Sequence, residues 1–364
     1  MIVSIIIFLA VLSLLVLVHE FGHFIMARRA GVMVEEFGFG LPPRLIGKKI
    51  GETIYSINWL PFGGFVRLHG ETDDEAVTNP KRSFLGKGKK ARISIVVAGV
   101  IMNFLLAIVC FSIVYSFLGI LRETGKVVVV DIAPESPAIT SGIKVGDQIV
   151  SVDGKEVKTS GDVTSLVTSK SGSHDLLLLS SGVEKKIKVG TKQDEKTGKY
   201  YMGLILTSQE TYYPPVILRP FYGAYYGIID SYNTTKTIVF GLFGVAREAT
   251  QGKIAEGTVG PVGLFAILDF IIKQGILPTI NFVGIISINL AVINILPLPA
   301  LDGGRLFFIL IEGAGKRVNP KVENAIHMAG FVILLILLLL ITTHDIQGVV
   351  KAGGILNFVN SLMK

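Results

Sequence analysis

The chain has 364 residues, a net charge of +7 at pH 7 and only 17% charged residues, and its mean hydropathy is +0.60. These values are typical of an integral membrane protein with some soluble mass. The single cysteine, Cys110, excludes an intrachain disulfide and a cysteine-ligated zinc site. The basic residues are scattered and form no block interleaved with aromatic residues, so nucleic acid is not expected as a partner.

The first apolar run carries a metal-binding pattern. Residues 2–18 contain no Lys or Arg, and the run then reaches His19, Glu20 and His23, so we expect a retained transmembrane helix over about 2–26. Positions i and i+4 share one face of a helix, so His19 and His23 can bind one ion together. Glu20 stands where the His-Glu-x-x-His zinc proteases have their general base. Ionisable side chains are costly inside a bilayer, which favours a functional site over a chance match.

The segment that follows, about 30–91, is polar but rich in aromatic residues, glycine and proline. Its alternating pattern predicts short β-strands in hairpins, with a surface loop as the alternative. So many aromatic residues between two spans favour a sheet that dips against the bilayer and offers an edge strand to substrate. A second span is predicted over about 93–121. Asn103 within it either lines the bundle interior or only hydrogen-bonds to a neighbouring helix.

Residues of about 123–208 have charged, β-branched runs separated by turn signals, which predict an inserted β-rich domain. SPA at 136–138, VGDQI at 145–149 and VDG at 152–154 resemble a bacterial PDZ domain. That resemblance implies a permuted strand order and a carboxylate-binding loop near YMGLI at 201–205. Two alternatives stay open: the groove binds a peptide C-terminus, or it is only a steric or structural element.

The third span brings a further candidate ligand. Apolar and aromatic residues at helical spacing predict amphipathic interfacial helices over about 213–273, and the span itself covers about 276–296. The prolines after it end the helix close to the membrane, and irregular backbone there must be buried or line a cavity. Asp302 on this turn is the natural third metal ligand, leaving one position for water. Asn294 is a candidate hydrogen-bond donor to substrate.

A fourth span is predicted over about 325–343, followed by a weakly amphipathic tail over 344–364. Twelve Lys and Arg residues lie between 28 and 92, and four between 305 and 321, so we expect both segments in the cytoplasm. Both termini and the PDZ domain then lie outside the cytoplasm. At about 1.5 Å per residue, the three candidate ligands share the inner half of the bilayer. The remaining histidines are expected to be solvated or turn residues rather than ligands: His69, His174, His327 and His344.

Taken together, the motifs resemble the site-2 proteases, zinc intramembrane metalloproteases, in their bacterial form with a single PDZ domain. The matching stretches are HEFGH at 19–23, FGFG at 37–40, PFGGFVRL at 61–68, AGVIMNF at 98–104, GPVG at 260–263 and NILPLPALDGG at 294–304. By this resemblance His19, His23 and Asp302 bind one zinc ion, Glu20 is catalytic and Asn294 binds substrate. Many members carry proline where this chain has Val100 and Gly88, which concerns local helix geometry only.

The expected architecture is a polytopic α-helical membrane protein of the bacterial cytoplasmic membrane. It has four transmembrane helices, a membrane-associated β-hairpin region and an inserted β-rich PDZ domain. The resemblance implies zinc-dependent hydrolysis of peptide bonds in transmembrane segments of single-span proteins, such as anti-sigma factors or remnant signal peptides. The rival is a non-catalytic membrane PDZ scaffold with a structural or lost metal site, although structural zinc sites usually have four protein ligands. A metal transporter is disfavoured because no ladder of further intramembrane ligands exists.

Overall fold

The computed structural model describes residues 2–71, 77–194, 198–251, 259–313, 315 and 318–362. The chain divides into two compact units. The first combines Met1–Phe117 with Ile217–Lys364, and the second is Leu118–Val216. The second unit is thus an insertion between two halves of a helical one.

The helical unit contains eight α-helices within the described residues. They are α1 (Ile2–Arg29), α2 (Lys89–Leu118), α4 (Arg219–Thr250), α5 (Pro261–Ile272), α6 (Ile276–Ile295), α7 (Asp302–Gly313), α8 (Pro320–Lys351) and α9 (Ile355–Leu362). Helices α1, α2, α6 and α8 are long and apolar enough to cross a membrane. The protein is therefore a helical membrane protein, as the hydropathy predicts, and its tail is helical as well.

Small residues bring α1 and α2 close together. A side chain at Gly22 would overlap the carbonyl of Ala98 on α2, so the two backbones touch where α1 carries its two histidines. Helix α1 ends about two turns later because Gly31 adopts a left-handed φ of 70° and Val32 N–H bonds back to Ala27 O at 2.9 Å. This is a glycine-terminated helix end, and it releases the chain into the sheet.

A bent hairpin follows α1. Its strands are β1 (Val34–Ile50) and β2 (Thr53–Leu68), longer than the short strands that the glycines and prolines suggested. Each strand bends into two segments, or legs. Residues 36–39, the first leg of β1, pair with residues 64–67 on one side and with residues 54–57 on the other. Residues 44–50, the second leg of β1, pair with residues 53–58. Seven large apolar side chains around the bend are exposed: Leu41, Leu45, Ile46, Ile50, Ile57, Trp59 and Leu60.

The hairpin lies against α1 at the depth of the candidate site. The Ser13 hydroxyl donates to Pro61 O at 3.3 Å, less than two helical turns from His19. Where the legs meet, Glu36 is 2% exposed and forms ion pairs with Arg44 and with Arg67, the latter at 3.6 Å. An exposed apolar sheet edge is thereby held beside the helix that carries the histidines.

The inserted unit is a β-sheet with one helix, α3 (Ser160–Thr168). Its strands are β3 (Ile120–Ile132), β4 (Gln148–Val152), β5 (Lys155–Glu156), β6 (Ser173–Ser180), β7 (Val183–Gly190), β8 (Lys192–Gln193), β9 (Tyr200–Tyr201) and β10 (Leu204–Tyr212). The main sheet has the order β10-β3-β4-β6-β7, with β5 paired to β4. The last strand therefore pairs with the first, as the permuted PDZ order implies.

Candidate active site

Three side chains from two distant parts of the chain meet inside the helical unit. His19 Nε2 lies 2.9 Å from Asp302 Oδ2 and 3.1 Å from His23 Nε2, and His23 Nε2 lies 3.2 Å from the same carboxylate oxygen. His19 is buried, and the other two side chains are mostly buried. Among the described residues this is the one group of three or more such side chains that could hold a metal ion.

The backbone after α6 places Asp302 at this point. Pro297 and Pro299 cannot continue the helix, and Ala300 takes a left-handed φ of 71°, which is uncommon for a residue with a side chain. His327 Nδ1 accepts the N–H of Ala300 at 2.9 Å and so stabilises the turn. Asp302 is then the first residue of α7. The turn needs the glycine that follows, because a side chain at Gly303 would overlap the carbonyl oxygens that end α6.

The two imidazole rings are oriented from α2. His23 donates its Nδ1–H to Ile95 O at 2.8 Å, which leaves the Nε2 lone pair free for a metal. His19 Nδ1 lies 3.4 Å from Asn103 Nδ2. The rings rest against Gly99, where a Cβ would lie 2.7 Å from His19 Nε2 and closer still to His23 Nε2. A glycine is therefore required behind the rings.

The three converging atoms fit a zinc ion. Two imidazole nitrogens and one carboxylate oxygen are a ligand set that catalytic zinc prefers. Ligand atoms bound at about 2.0 Å in a tetrahedron lie about 3.3 Å apart, and the separations here are 2.9, 3.1 and 3.2 Å. Small outward movements of the side chains would accommodate the ion.

A cleft of about 230 Å³ opens beside the three atoms. Glu20 and Asn294 line it together with His19 and Asp302, and both are half-buried. The lining of the cleft thus includes the Glu20 carboxylate and the Asn294 amide. It therefore provides a proton acceptor and a hydrogen-bond donor around one small volume.

A larger cavity of about 640 Å³ also reaches Asp302. Two ion pairs line it: Arg305 with Glu71, and Arg92 with Glu312 at 2.6 Å. Arg92 is buried at 5% exposure, so this pair closes α2 onto α7 deep in the structure. The polar lining suits water, which must reach any hydrolytic site.

The five residues predicted as functional lie around one point: His19, Glu20, His23, Asn294 and Asp302. Sequence reasoning missed the contacts that orient them. Asn103 was expected either to line the bundle interior or to hydrogen-bond to a neighbouring helix, and the structure places it beside His19 of α1, a partner that the sequence did not identify. His327 was expected to be solvated, yet it accepts a hydrogen bond from the turn that carries Asp302.

Two further histidines correct the sequence expectation. His69 and His174, expected as solvated loop or turn residues, are 2% and 0% exposed. His69 Nδ1 lies 2.7 Å from Glu35 Oε1, and His174 Nδ1 lies 2.7 Å from Asp153 Oδ2. Both are paired with a carboxylate whose position the local sequence does not reveal.

Known proteins similar to this chain match nearly all of its length. A family model described as Peptidase family M50 matches residues 7–337. A Clostridium acetobutylicum protein with the provisional name zinc metalloprotease is 35% identical over 94% of this chain and 97% of that protein. Zinc metalloprotease RasP of Geobacillus kaustophilus is 29% identical over 94% of this chain and 98% of that protein. The crystal structure of the PDZ domain of an SdrC-like protein from Listeria innocua covers 24% of this chain and 99% of its own, at 19% identity and a TM-score of 0.21.

Proposed function

Because the chain belongs to Peptidase family M50 and is a zinc metalloprotease of the site-2 type, we propose that it hydrolyses peptide bonds within transmembrane segments of single-span proteins. One observation carries this proposal. The atoms of His19, His23 and Asp302 lie within 4.8 Å of one another, and the two histidines are on α1, a helix long and apolar enough to cross a membrane. A scaffold would have no need of a ligand set with an adjoining cleft.

His19, His23 and Asp302 are the residues that would hold the ion. When bound, Zn²⁺ lowers the pKa of a coordinated water towards about 7 and polarises the scissile carbonyl. Glu20 follows His19 on α1 and lines the same cleft. In this proposal Glu20 takes the proton of the attacking water and passes it to the leaving amine nitrogen.

The substrate would enter the cleft as an extended strand. Asn294 lines the cleft opposite α1, and its side-chain N–H groups can donate to a substrate carbonyl or to the oxyanion that develops from it. The bent hairpin offers exposed apolar strand legs along α1, which can pair with an unwound segment by strand addition. Together these groups hold a peptide bond between Glu20 and Asn294.

Sidedness follows from the distribution of charge. Basic residues are dense in the segments that flank the site, so we place these segments in the cytoplasm and the site in the inner half of the bilayer. The cavity of about 640 Å³ would then supply water from that side. Both termini and the PDZ domain lie outside the cytoplasm in this proposal. There the PDZ domain either excludes substrates that keep a bulky outer domain or binds a peptide C-terminus. The substrates admitted would be proteins that have already been shortened, such as cut anti-sigma factors or remnant signal peptides.

The test is cleavage of tagged single-span substrates with helix-destabilising residues by the purified full chain in detergent. We expect products whose new ends, mapped by mass spectrometry, lie inside the transmembrane segment. A zinc chelator should abolish the products and added Zn²⁺ should restore them. His23→Ala should be inactive, whereas His344→Ala, which changes an exposed histidine of α8, should match the wild type. Chelator-resistant cleavage, or products cut only outside the segment, would overturn the proposal.

A further inference from the structure

Asn103 is buried in the middle of α2, next to one of the candidate zinc ligands. Its side chain has no exposed surface, and Asn103 Nδ2 lies 3.4 Å from His19 Nδ1. Asn103 Oδ1 is buried and has no hydrogen-bond partner among the described residues. A buried amide with one unpartnered atom lowers stability. Packing alone therefore gives a poor reason for an asparagine at this position.

The location of the proton on His19 decides which amide atom must face the ring. A neutral imidazole has one N–H donor and one acceptor nitrogen. When Nε2 carries the proton and donates to Asp302 Oδ2, Nδ1 accepts from Asn103 Nδ2. When Nε2 gives its lone pair to a metal, the proton resides on Nδ1, and Nδ1 then needs an acceptor.

Asn103 can provide that acceptor without moving its backbone. A half-turn of the amide exchanges Nδ2 and Oδ1, which have nearly the same size and shape. One atom of the Asn103 amide stays unpartnered in either orientation. Which orientation is more stable therefore depends on which nitrogen of His19 carries the proton. The backbone of Asn103 is fixed within α2, and its carbonyl also accepts from the Ser287 hydroxyl of α6 at 2.7 Å.

We propose that Asn103 is a positioning residue for the metal site: its Oδ1 accepts the His19 Nδ1–H when Nε2 binds zinc. The inference rests on the zinc site of the proposed function. The contact would fix the tautomer and the plane of the His19 ring. Helix α2 thereby provides an acceptor behind each ligand ring, the Ile95 carbonyl for His23 and the Asn103 amide for His19.

The test compares zinc affinity and thermal stability in two variants of the full chain in detergent. Asn103→Leu replaces both polar amide atoms by methyl groups and keeps the branching of the side chain. We expect its affinity, measured by competition with a chromogenic chelator, to fall by about 10- to 100-fold, as for other outer-shell partners of ligating histidines. Its melting temperature without zinc should change little, because removing the unpartnered Oδ1 is favourable whereas leaving His19 Nδ1 without its donor is unfavourable.

Asn103→Asp tests whether residue 103 acts on His19 as a hydrogen-bond acceptor or as a donor. A carboxylate can only accept, as in the carboxylate–histidine–zinc arrangement, so this variant should keep an affinity close to that of the wild type. Ser287→Ala is the matched control, since it removes a buried hydrogen bond to the same residue without touching His19, and its affinity should be unchanged.

Wild-type affinity in Asn103→Leu would overturn the positioning role. An equal loss of affinity in Asn103→Asp would overturn the acceptor role, and this variant carries the test if the leucine variant does not fold. A wild-type chain that binds no zinc would instead overturn the proposed function, and this inference with it.

Discussion

Two histidine–aspartate pairs, one in each unit of the chain, each contain a buried histidine but differ in what surrounds them. In the helical unit His19 Nε2 lies 2.9 Å from Asp302 Oδ2. In the inserted unit His174 Nδ1 lies 2.7 Å from Asp153 Oδ2. We call the His174 pair closed because both ring nitrogens have partners: the other nitrogen, Nε2, lies 3.3 Å from Lys170 O. A satisfied pair of this kind stabilises a fold and leaves nothing to bind a ligand.

The first pair is open by contrast. A second histidine, His23, directs its nitrogen at the same carboxylate oxygen, and a cleft that Glu20 also lines lies beside them. A buried histidine and a short contact with a carboxylate are common to both pairs, so neither property identifies a functional site. Convergence of a third ligand atom on an accessible volume distinguishes the metal site from the structural pair.

The largest difference in zinc binding and cleavage should appear when the aspartate of each pair is replaced by alanine in turn. Asp302→Ala removes a proposed direct ligand, so its zinc affinity should fall by more than the roughly 100-fold expected for an outer-shell change, and cleavage should vanish. Asp153→Ala should keep both zinc and cleavage. Zinc content by atomic absorption, beside a cleavage assay, checks both variants. Equal zinc loss in the two would remove the distinction between the pairs.

A smaller effect is expected behind the rings. Gly99→Ala places a methyl group where the His19 and His23 rings lie, so the rings must shift, and misplacement by about 1 Å can cost about 100-fold in rate. Gly88→Ala is the matched control. Gly88 directly precedes α2, and a Cβ there has no heavy atom within 4 Å. Zinc affinity and initial cleavage rates should fall in the first variant only. A fully active Gly99→Ala would show that the rings are not held from α2.

The smallest effect concerns the closed pair and pH. The backbone N–H of Asp175 and then His174 lower the pKa of Asp153 below its usual value. A depressed carboxyl pKa adds stability that is present above the unfolded value of about 3.9 and is lost as the pH falls through the folded value. Asp153→Asn should therefore destabilise β4 and β6 at pH 7 by less than about 1 kcal/mol, since Asp153 is partly exposed to solvent.

Hydrogen exchange of the strands β4 and β6, compared between wild type and Asp153→Asn at matched pH, measures this contribution. The difference should be present at pH 7 and should disappear as the pH falls through the lowered pKa of Asp153. A difference that grows on acidification would mean that the charge on Asp153 opposes folding.

Local patterns predict much of the metal site. His19, Glu20 and His23 follow from helical spacing in an apolar span, and Asp302 follows from a helix break at the membrane together with the need for a third ligand. Hydropathy likewise predicts the four long helices. In each of these cases the signal is contained in one short stretch of sequence.

Contacts between distant stretches could not be predicted in this way. Gly99, the Ile95 carbonyl and Asn103 lie 72 to 84 residues from the rings that they contact, so only the packed α1–α2 pair reveals them. His174 illustrates the same limit, because its partner Asp153 lies on another strand turn and gives no local sign of burial. The one useful signal was polarity: Asn103 is an amide within an apolar run.

The measurement that tests the account most directly is zinc content and substrate cleavage in one preparation of Glu20→Gln. The account predicts about one zinc ion per chain, as in the wild type, because Glu20 is not a ligand. It also predicts a cleavage rate lower by at least about 100-fold, the usual contribution of a general base. Undiminished cleavage with zinc bound would contradict the role of Glu20, and loss of zinc would contradict the assignment of His19, His23 and Asp302 as the complete ligand set.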